Sequence, residues 1–96
     1  MTATVNINRL IVSTPGICGG RPRIDGSRIT VQYIINEIKA GSTPEEILED
    51  KPHITLAGIY SALAYYYDNK ESLDVEFADY DRECIRLAGE YSRNEQ

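Results

Sequence analysis

Few side chains in this sequence are equipped to do chemistry. Three arginines, Arg21, Arg23 and Arg28, fall within eight positions around an Asp25-Gly26 step; beyond them stand one histidine, His53, and two cysteines, Cys18 and Cys84. A guanidinium is planar, permanently charged and matched in shape to carboxylate and phosphate oxygens. A two-stranded ribbon carrying three of them is therefore expected to enter a groove or clasp an anion. The competing expectation is internal, with Arg23 or Arg28 pairing with Asp25 or with acidic helices and only fixing the ribbon. One histidine and two cysteines 66 positions apart do not make a zinc set, so neither a metal nor a cofactor is expected. Cys18 with His53 is the one pairing that could make a nucleophile, but no local signature surrounds either residue. His53 also precedes a helix, where turn or capping roles are commoner than catalysis, and the chain is expected not to be an enzyme. Cys84 falls on the apolar stripe of a helix, where a thiol is expected to be a small buried hydrophobe, and a disulfide with Cys18 is disfavoured in a reducing compartment.

Positioning falls to one small domain over residues 1–96, 42% hydrophobic and 26% charged. A chain of this size buries only roughly 60–65% of its unfolded surface, so a homodimer or a complex is expected to cover more. No eighteen-residue apolar run exists, and Met1 to Asn8 lacks a charged segment followed by an apolar one; no membrane association is expected and the location is read as cytoplasmic. The net charge of −5 is unevenly spread. Residues 1–40 carry five basic side chains against Asp25 and Glu37, whereas residues 71–96 carry eight carboxylates against Arg82, Arg86 and Arg93. A basic front and an acidic tail suit an anionic and a cationic partner; the plainer expectation for the tail is a solvated acidic helix.

Val5 to Ser13 reads as a short edge strand closed by Thr14-Pro15-Gly16. Asp25-Gly26 supplies the turn of a tight hairpin with Ile24 and Ile29 on the packed side and the arginine heads outward. From Thr30, a cap, the period becomes helical: Val31, Ile34, Ile35 and Ile38 share a face that ends near Ala40 and Gly41. A second, short helix starts at Ser42-Thr43-Pro44-Glu45-Glu46, runs to about Asp50 and is stopped by Pro52. Thr55 caps a third, with Leu56, Ile59, Leu63 and Tyr66 recurring and Ala62 and Ala64 allowing close contacts, ending near Asp68-Asn69. The last helix, about Glu71 to Tyr91, shows Phe77, Tyr80, Cys84, Leu87 and Tyr91 at spacings of three and four. Two heptads are too few for an autonomous coiled coil, so this seam must lie on the other helices or on another chain. The three parts are a β/hairpin element (1–30), a three-helix core (31–69) and an acidic C-terminal helix (70–96), with the last residues fraying.

Three helices, the middle one short, with a turn of about four residues before Thr55, match the spacing of a helix-turn-helix. Base reading by the third helix is not favoured. Its exposed front is expected to be Thr55, Ala57, Gly58, Tyr60 and Ser61, none of which makes a bidentate base contact. A sequence pI near 4.8 also opposes a broad phosphate footprint. Of Tyr65, Tyr66 and Tyr67, one must face inward while the others flank it and offer dimer contact.

The string G-G-R-P-R-I-D-G-S-R-I-T-V (Gly19 to Val31), followed by A-G-S-T-P-E-E-I-L-E-D-K-P-H-I-T (Ala40 to Thr55) and A-L-A-Y-Y (Ala62 to Tyr66), resembles a bacterial antitoxin-like helix-turn-helix family, domain of unknown function four hundred and thirty-three. The resemblance covers about residues 9 to 75, with a G-x-P-x-I-x-G-[ST]-R-I hairpin, a G-x-[ST]-x-E-E-I-L helix and an A-L-x-Y-Y helix in that order. Its motif positions here are Gly20, Pro22, Ile24, Gly26, Arg28, Ile29, Glu45, Glu46, Ile47, Ala62, Leu63, Tyr65 and Tyr66, most of them structural. The sequence departs from the family pattern with Arg23 and Ser27 in the hairpin and with Gly58 and Tyr60 at the front of the third helix, where charged residues are common.

The resemblance implies a mainly α fold, a homeodomain-like winged helix-turn-helix bundle with a short N-terminal β element and a long C-terminal helix. It also implies an antitoxin that binds a PIN-like ribonuclease toxin and its own promoter DNA, although many cyanobacterial members stand without an adjacent toxin. On this reading Arg21, Arg23, Arg28, Thr55 and Tyr60 touch DNA or another anion, and Tyr65, Tyr67, Phe77, Tyr80, Leu87 and Tyr91 touch a partner or a second copy. The alternative is a dimerisation module that binds neither DNA nor toxin.

Overall fold

The computed structural model describes residues 10–94, with side chains as far as residue 90. The chain is mainly helical, with a two-strand antiparallel sheet at the front and a long helix at the end. The strands are β1 (Ile11–Val12) and β2 (Arg23–Ile24), with Ile11 opposite Ile24 and Val12 opposite Arg23. A turn of 3₁₀-helix, Cys18–Gly20, lies between them. The Val5 to Arg9 part of the expected edge strand lies outside the described residues.

The expected Asp25-Gly26 turn forms, closed by the Ser27 N–H donating to Ile24 O at 3.1 Å. Of its two central residues only Gly26 takes a positive φ, 77°, and a second closure lies further out, where the Ile24 N–H donates to Ile29 O at 2.8 Å. The Asp25 N–H donates to Leu10 O at 2.8 Å, so β2 finds its sheet partner in β1 and pairs with the segment after the turn at an isolated Arg23–Thr30 bridge. Ser27 holds the wider loop: its hydroxyl donates to Ile24 O at 2.8 Å and accepts from the Ile29 N–H at 3.1 Å.

The three core helices follow the sequence signals closely. In α1 (Val31–Lys39) the Thr30 hydroxyl accepts from the Tyr33 N–H, and the expected face is buried, with Val31, Ile34 and Ile35 sealed and Ile38 packed at the edge. Burying such side chains contributes about 1.5–3 kcal/mol each. In α2 (Pro44–Asp50) Thr43 and Glu46 form a reciprocal capping box with Pro44 in the first turn, and Ile47 enters the core. After Lys51–Thr55 comes α3 (Leu56–Asp68), capped by Thr55. It is the central element, touching α1, α2, both strands and α4. That is why Gly58 and Ser61, expected on the exposed front, are buried: β2 lies across the first turns, and a Cβ on Gly58 would stand 2.9 Å from Ile24 Cγ2.

Asn69 separates α3 from α4 (Lys70–Asn94). Leu73 is buried, and Phe77 stacks on Tyr66 with ring centroids 6.0 Å apart. Twenty-five residues make a helix of about 37 Å, so α4 outruns a core that ends near Phe77. Cys84, expected to be buried, is exposed for this reason. Among the described residues, no helix is long and apolar enough to cross a membrane.

Candidate interaction surfaces

The three hairpin arginines do not form an outward-facing row, which corrects the expectation for two of them. Arg21 is folded back between the 3₁₀ turn and α4. Its Nε donates to Cys18 O at 3.1 Å, its Nη1 to Gln32 Oε1 at 3.1 Å, and the guanidinium lies 3.7 Å from the centre of the Tyr80 ring. Gln32, itself buried, donates from Nε2 to Asp81 Oδ1 at 2.8 Å, so one chain of contacts clamps the middle of α4 to α1. Arg23 is only 7% exposed. It donates to Thr14 Oγ1 at 3.0 Å and to Ser27 O at 3.3 Å, because the Thr14 to Ile17 segment roofs the face of the ribbon that alternation alone would leave open. Arg28 is exposed and is the one hairpin arginine whose head is presented outward.

None of the three makes an ion pair among the described residues. The charges of Arg21 and Arg23 are held by carbonyls, a hydroxyl, an amide and a ring rather than by carboxylates. The hairpin thus keeps its positive character while exposing little of it. Beside the hairpin tip is an open depression of about 580 Å³ lined by Ile17, Arg23, Asp25, Gly26, Ser27, Arg28 and His53. His53 therefore sits with the arginines and not with Cys18, whose thiol donates to Arg28 O at 3.6 Å. The role of His53 as a neighbour of the hairpin had no sequence signal, since 24 positions separate it from Ile29.

The start of α3 adds little to base reading. The Thr55 hydroxyl is occupied by the Gly58 N–H at 3.0 Å, and the Tyr60 hydroxyl, though the residue is 51% exposed, lies 3.5 Å from Glu45 Oε2. The flank beside it is acidic, with Glu45, Glu46, Glu49 and Asp50 exposed on α2. The tyrosine run resolves as expected. Tyr66 is buried, Tyr65 is half-buried and Tyr67 is exposed, meeting Tyr66 edge-on at 5.2 Å.

On α4 the expected seam splits in two. Phe77 belongs to the core and Tyr80 is covered on one face by Arg21, whereas Leu87 is half-exposed; the Tyr91 side chain lies outside the described residues. Cys84, one turn on, pushes the Tyr80 phenol up while Arg21 pulls it down. Val75 and Ile85, which lie off the seam and were missed for that reason, are also exposed.

Residues 70–94 carry seven carboxylates against four basic side chains, and much of the basic charge is spent within the helix. Arg82 pairs with Asp79, Arg86 with Glu83 and with Glu90 at 2.7 Å, and Lys70 with Asp74 at 2.9 Å. Arg86 accordingly holds the Glu83 carboxyl below its ordinary range. Glu71 and Glu76 make no ion pair among the described residues, and Asp81 is engaged only by Gln32. Also among the described residues, no group of three or more His, Cys, Asp or Glu could hold a metal ion.

A family model described as protein of unknown function, DUF433, matches residues 11–66, from the first residue of β1 to the buried tyrosine of α3. Among solved structures, the crystal structure of a DUF433 member protein from Anabaena variabilis ATCC 29413 is similar at 35% identity. It covers 75% of this chain and 71% of that one, with a TM-score of 0.68. No curated protein matches. The family match takes in both strands, the capped helices and the roofed arginine hairpin and stops short of α4; on that match and that likeness, this chain belongs to the DUF433 family.

Proposed function

We propose that this protein is a non-enzymatic, antitoxin-like regulator whose acidic helix α4 captures a basic protein partner, a PIN-like ribonuclease, while the hairpin end of the helical core approaches promoter DNA. The observation that carries the reading is the reach of α4 past the core. Ile85 is 72% and Leu87 50% exposed, on a helix whose basic residues are largely paired internally. An unpartnered helix with apolar residues set among carboxylates suits a partner that offers an apolar groove rimmed with positive charge.

Co-expression with the product of the neighbouring gene, followed by capture on this chain, tests the partner half. The expected outcome is a complex with a basic nuclease whose RNA cleavage is suppressed, lost in an Ile85→Asp/Leu87→Asp variant. A nuclease that passes through unbound, or a complex indifferent to that variant, refutes it.

The DNA half is narrower than the sequence suggested. Arg28 and His53 at the hairpin tip supply phosphate contact, and α3 does not supply base contact. With one to three phosphates neutralised per protomer, log K is expected to fall against log salt with a slope of only about −1 to −3. An electrophoretic shift with the upstream DNA that is absent even at low salt removes this half.

The dimer alternative is favoured by a separate observation, the exposure of Tyr67 (66%) and Tyr60 on α3. Sedimentation of a Tyr67→Asp variant that stays the size of the wild type counts against it.

A further inference from the structure

Arg23 is distinguished by what does not surround it. The residue is only 7% exposed, yet its partners among the described residues, Thr14 Oγ1 and Ser27 O, are neutral. Its Nε is buried and has no hydrogen-bond partner among the described residues. No carboxylate lies within ion-pair distance of it among the described residues. An arginine does not shed its proton, so the fold encloses a full positive charge. Removing such a charge from water without an opposite one is costly. The same residue lines the open depression at the hairpin tip, whose rim carries Arg28, exposed and unpaired, and His53. Three donors with positive or chargeable heads converge there from β2, the hairpin loop and the α2–α3 connection. Asp25 shares the rim, but it is exposed and pairs with none of them.

We infer that this depression is an oxyanion site for a phosphate group, with Arg23 as its buried counter-charge and Arg28 and His53 closing over the bound oxygens. A monoester or free phosphate fits the space as well as a backbone diester does, so the shared chemistry is a tetrahedral oxyanion. The inference deepens the DNA half of the function proposed above for the diester case only; the site itself does not depend on it, nor on a nuclease partner. It also gives a reason for a buried arginine in the hairpin at all, because a bound anion offsets the desolvation that its neutral partners leave standing.

The full chain, ¹⁵N-labelled, is titrated with sodium phosphate and, separately, with sodium chloride at matched ionic strength. Saturable amide shifts at Ile17, Arg23 to Arg28 and His53 are expected with phosphate alone, together with a shift of the Arg23 Nε–H resonance. Arg28→Ala/His53→Ala, both exposed positions, is expected to weaken phosphate by roughly tenfold or more, the loss of one or two charge-assisted hydrogen bonds, with the melting temperature in chloride unchanged. Arg23→Met is expected to abolish the shifts; should it fail to fold, the double variant carries the test.

A second arm uses a 20-base-pair duplex. Duplex binding weakened by the double variant assigns the site to a nucleic-acid diester. Phosphate saturation without duplex binding assigns it to a free phosphate or monoester, and removes the DNA reading while leaving the site intact. Equal responses to phosphate and chloride, shifts scattered away from the hairpin, or phosphate affinity unchanged in the double variant would overturn the inference.

Discussion

Gly58→Ala tests how the arginine hairpin is held on the helices, because two effects of opposite sign meet at one atom. Within a helix, replacing Gly by Ala stabilises by about 1 kcal/mol through the backbone alone. Here the new Cβ would stand 2.9 Å from Ile24 Cγ2, 3.4 Å from Thr55 Oγ1 and 3.7 Å from Ile24 Cδ1. The nearest of these is a branch methyl next to the backbone of a 4%-exposed strand residue, not the end of a flexible side chain, so β2 must move or α3 must shift. Overpacking of this kind costs about 1–3 kcal/mol, and pressure on the Thr55 cap can remove part of a further ~1 kcal/mol. The net expectation is a loss of about 1–2 kcal/mol, a fall in Tm of roughly 4–16 °C for a domain of this size.

Thermal melts followed by circular dichroism measure it. Ala57→Gly, one residue earlier and exposed, serves as the control, losing about 1 kcal/mol from propensity alone. Replacing Ile24 by Leu removes the branch methyl, so the Ile24→Leu/Gly58→Ala double variant should lose less than the two single changes together, by about 1 kcal/mol. A Gly58→Ala protein that melts higher than the wild type would refute the close approach of β2 to α3.

Three further outcomes are expected. Thr43→Ala removes one half of the α2 capping box and should cost about 0.5–2 kcal/mol, measured by urea unfolding, with Ser restoring most of it. Arg21→Ala and Tyr80→Ala in a double-mutant cycle should show coupling of about 0.5–1 kcal/mol, and each alone should speed amide exchange in α4 beyond Phe77 while leaving α1 and α3 protected. Asp74 is held below its ordinary 3.8 by the Tyr66 hydroxyl, which donates to it at 2.7 Å, and then by Lys70. A depressed carboxylate contributes stability that is present above its unfolded value and is lost as pH falls through the folded one. Tyr66→Phe should therefore flatten the fall in Tm expected of the wild type below about pH 4, and an unchanged acid limb would refute that role.

The helical core was legible because its signals are local. Thr30, Thr43 and Thr55 each precede an apolar period, and all three hydroxyls accept from the backbone where a cap should. The Asp25-Gly26 turn was legible, and the Ser27 N–H closes it on Ile24 O; the arginine heads were misplaced because alternation compares only two strands. The Asp25 N–H is taken by Leu10 O on a third segment, and the Ser27 hydroxyl braces a wider closure. Further along that segment, Thr14 covers Arg23. The front of α3 was misread for a related reason. A single amphipathic stripe assumes one packing partner, whereas a central helix with partners on several sides buries Gly58 and Ser61 and leaves Leu56 and Leu63 at the edge. On α4 the seam was real in spacing, but periodicity states only that something covers a stripe; the core reaches Phe77 and stops.

The arrangement of charge also separates where function and stability should respond to mutation. The ion pairs of α4 are exposed, and solvent screens such pairs until they contribute little to folding, so charge changes there should leave folding nearly untouched while altering what the helix attracts. Arg23 is the opposite case: its charge lies in a medium where an unpaired cation is expensive and an arriving anion is rewarded. Stability of the hairpin should therefore depend on ligand by mass action, rising with phosphate as binding to the folded state alone requires. The two faces differ in kind as well as in sign. Variants on α4 are read by partner capture at constant Tm, and variants at Arg23 by the loss of the rise in Tm that an oxyanion gives the wild type.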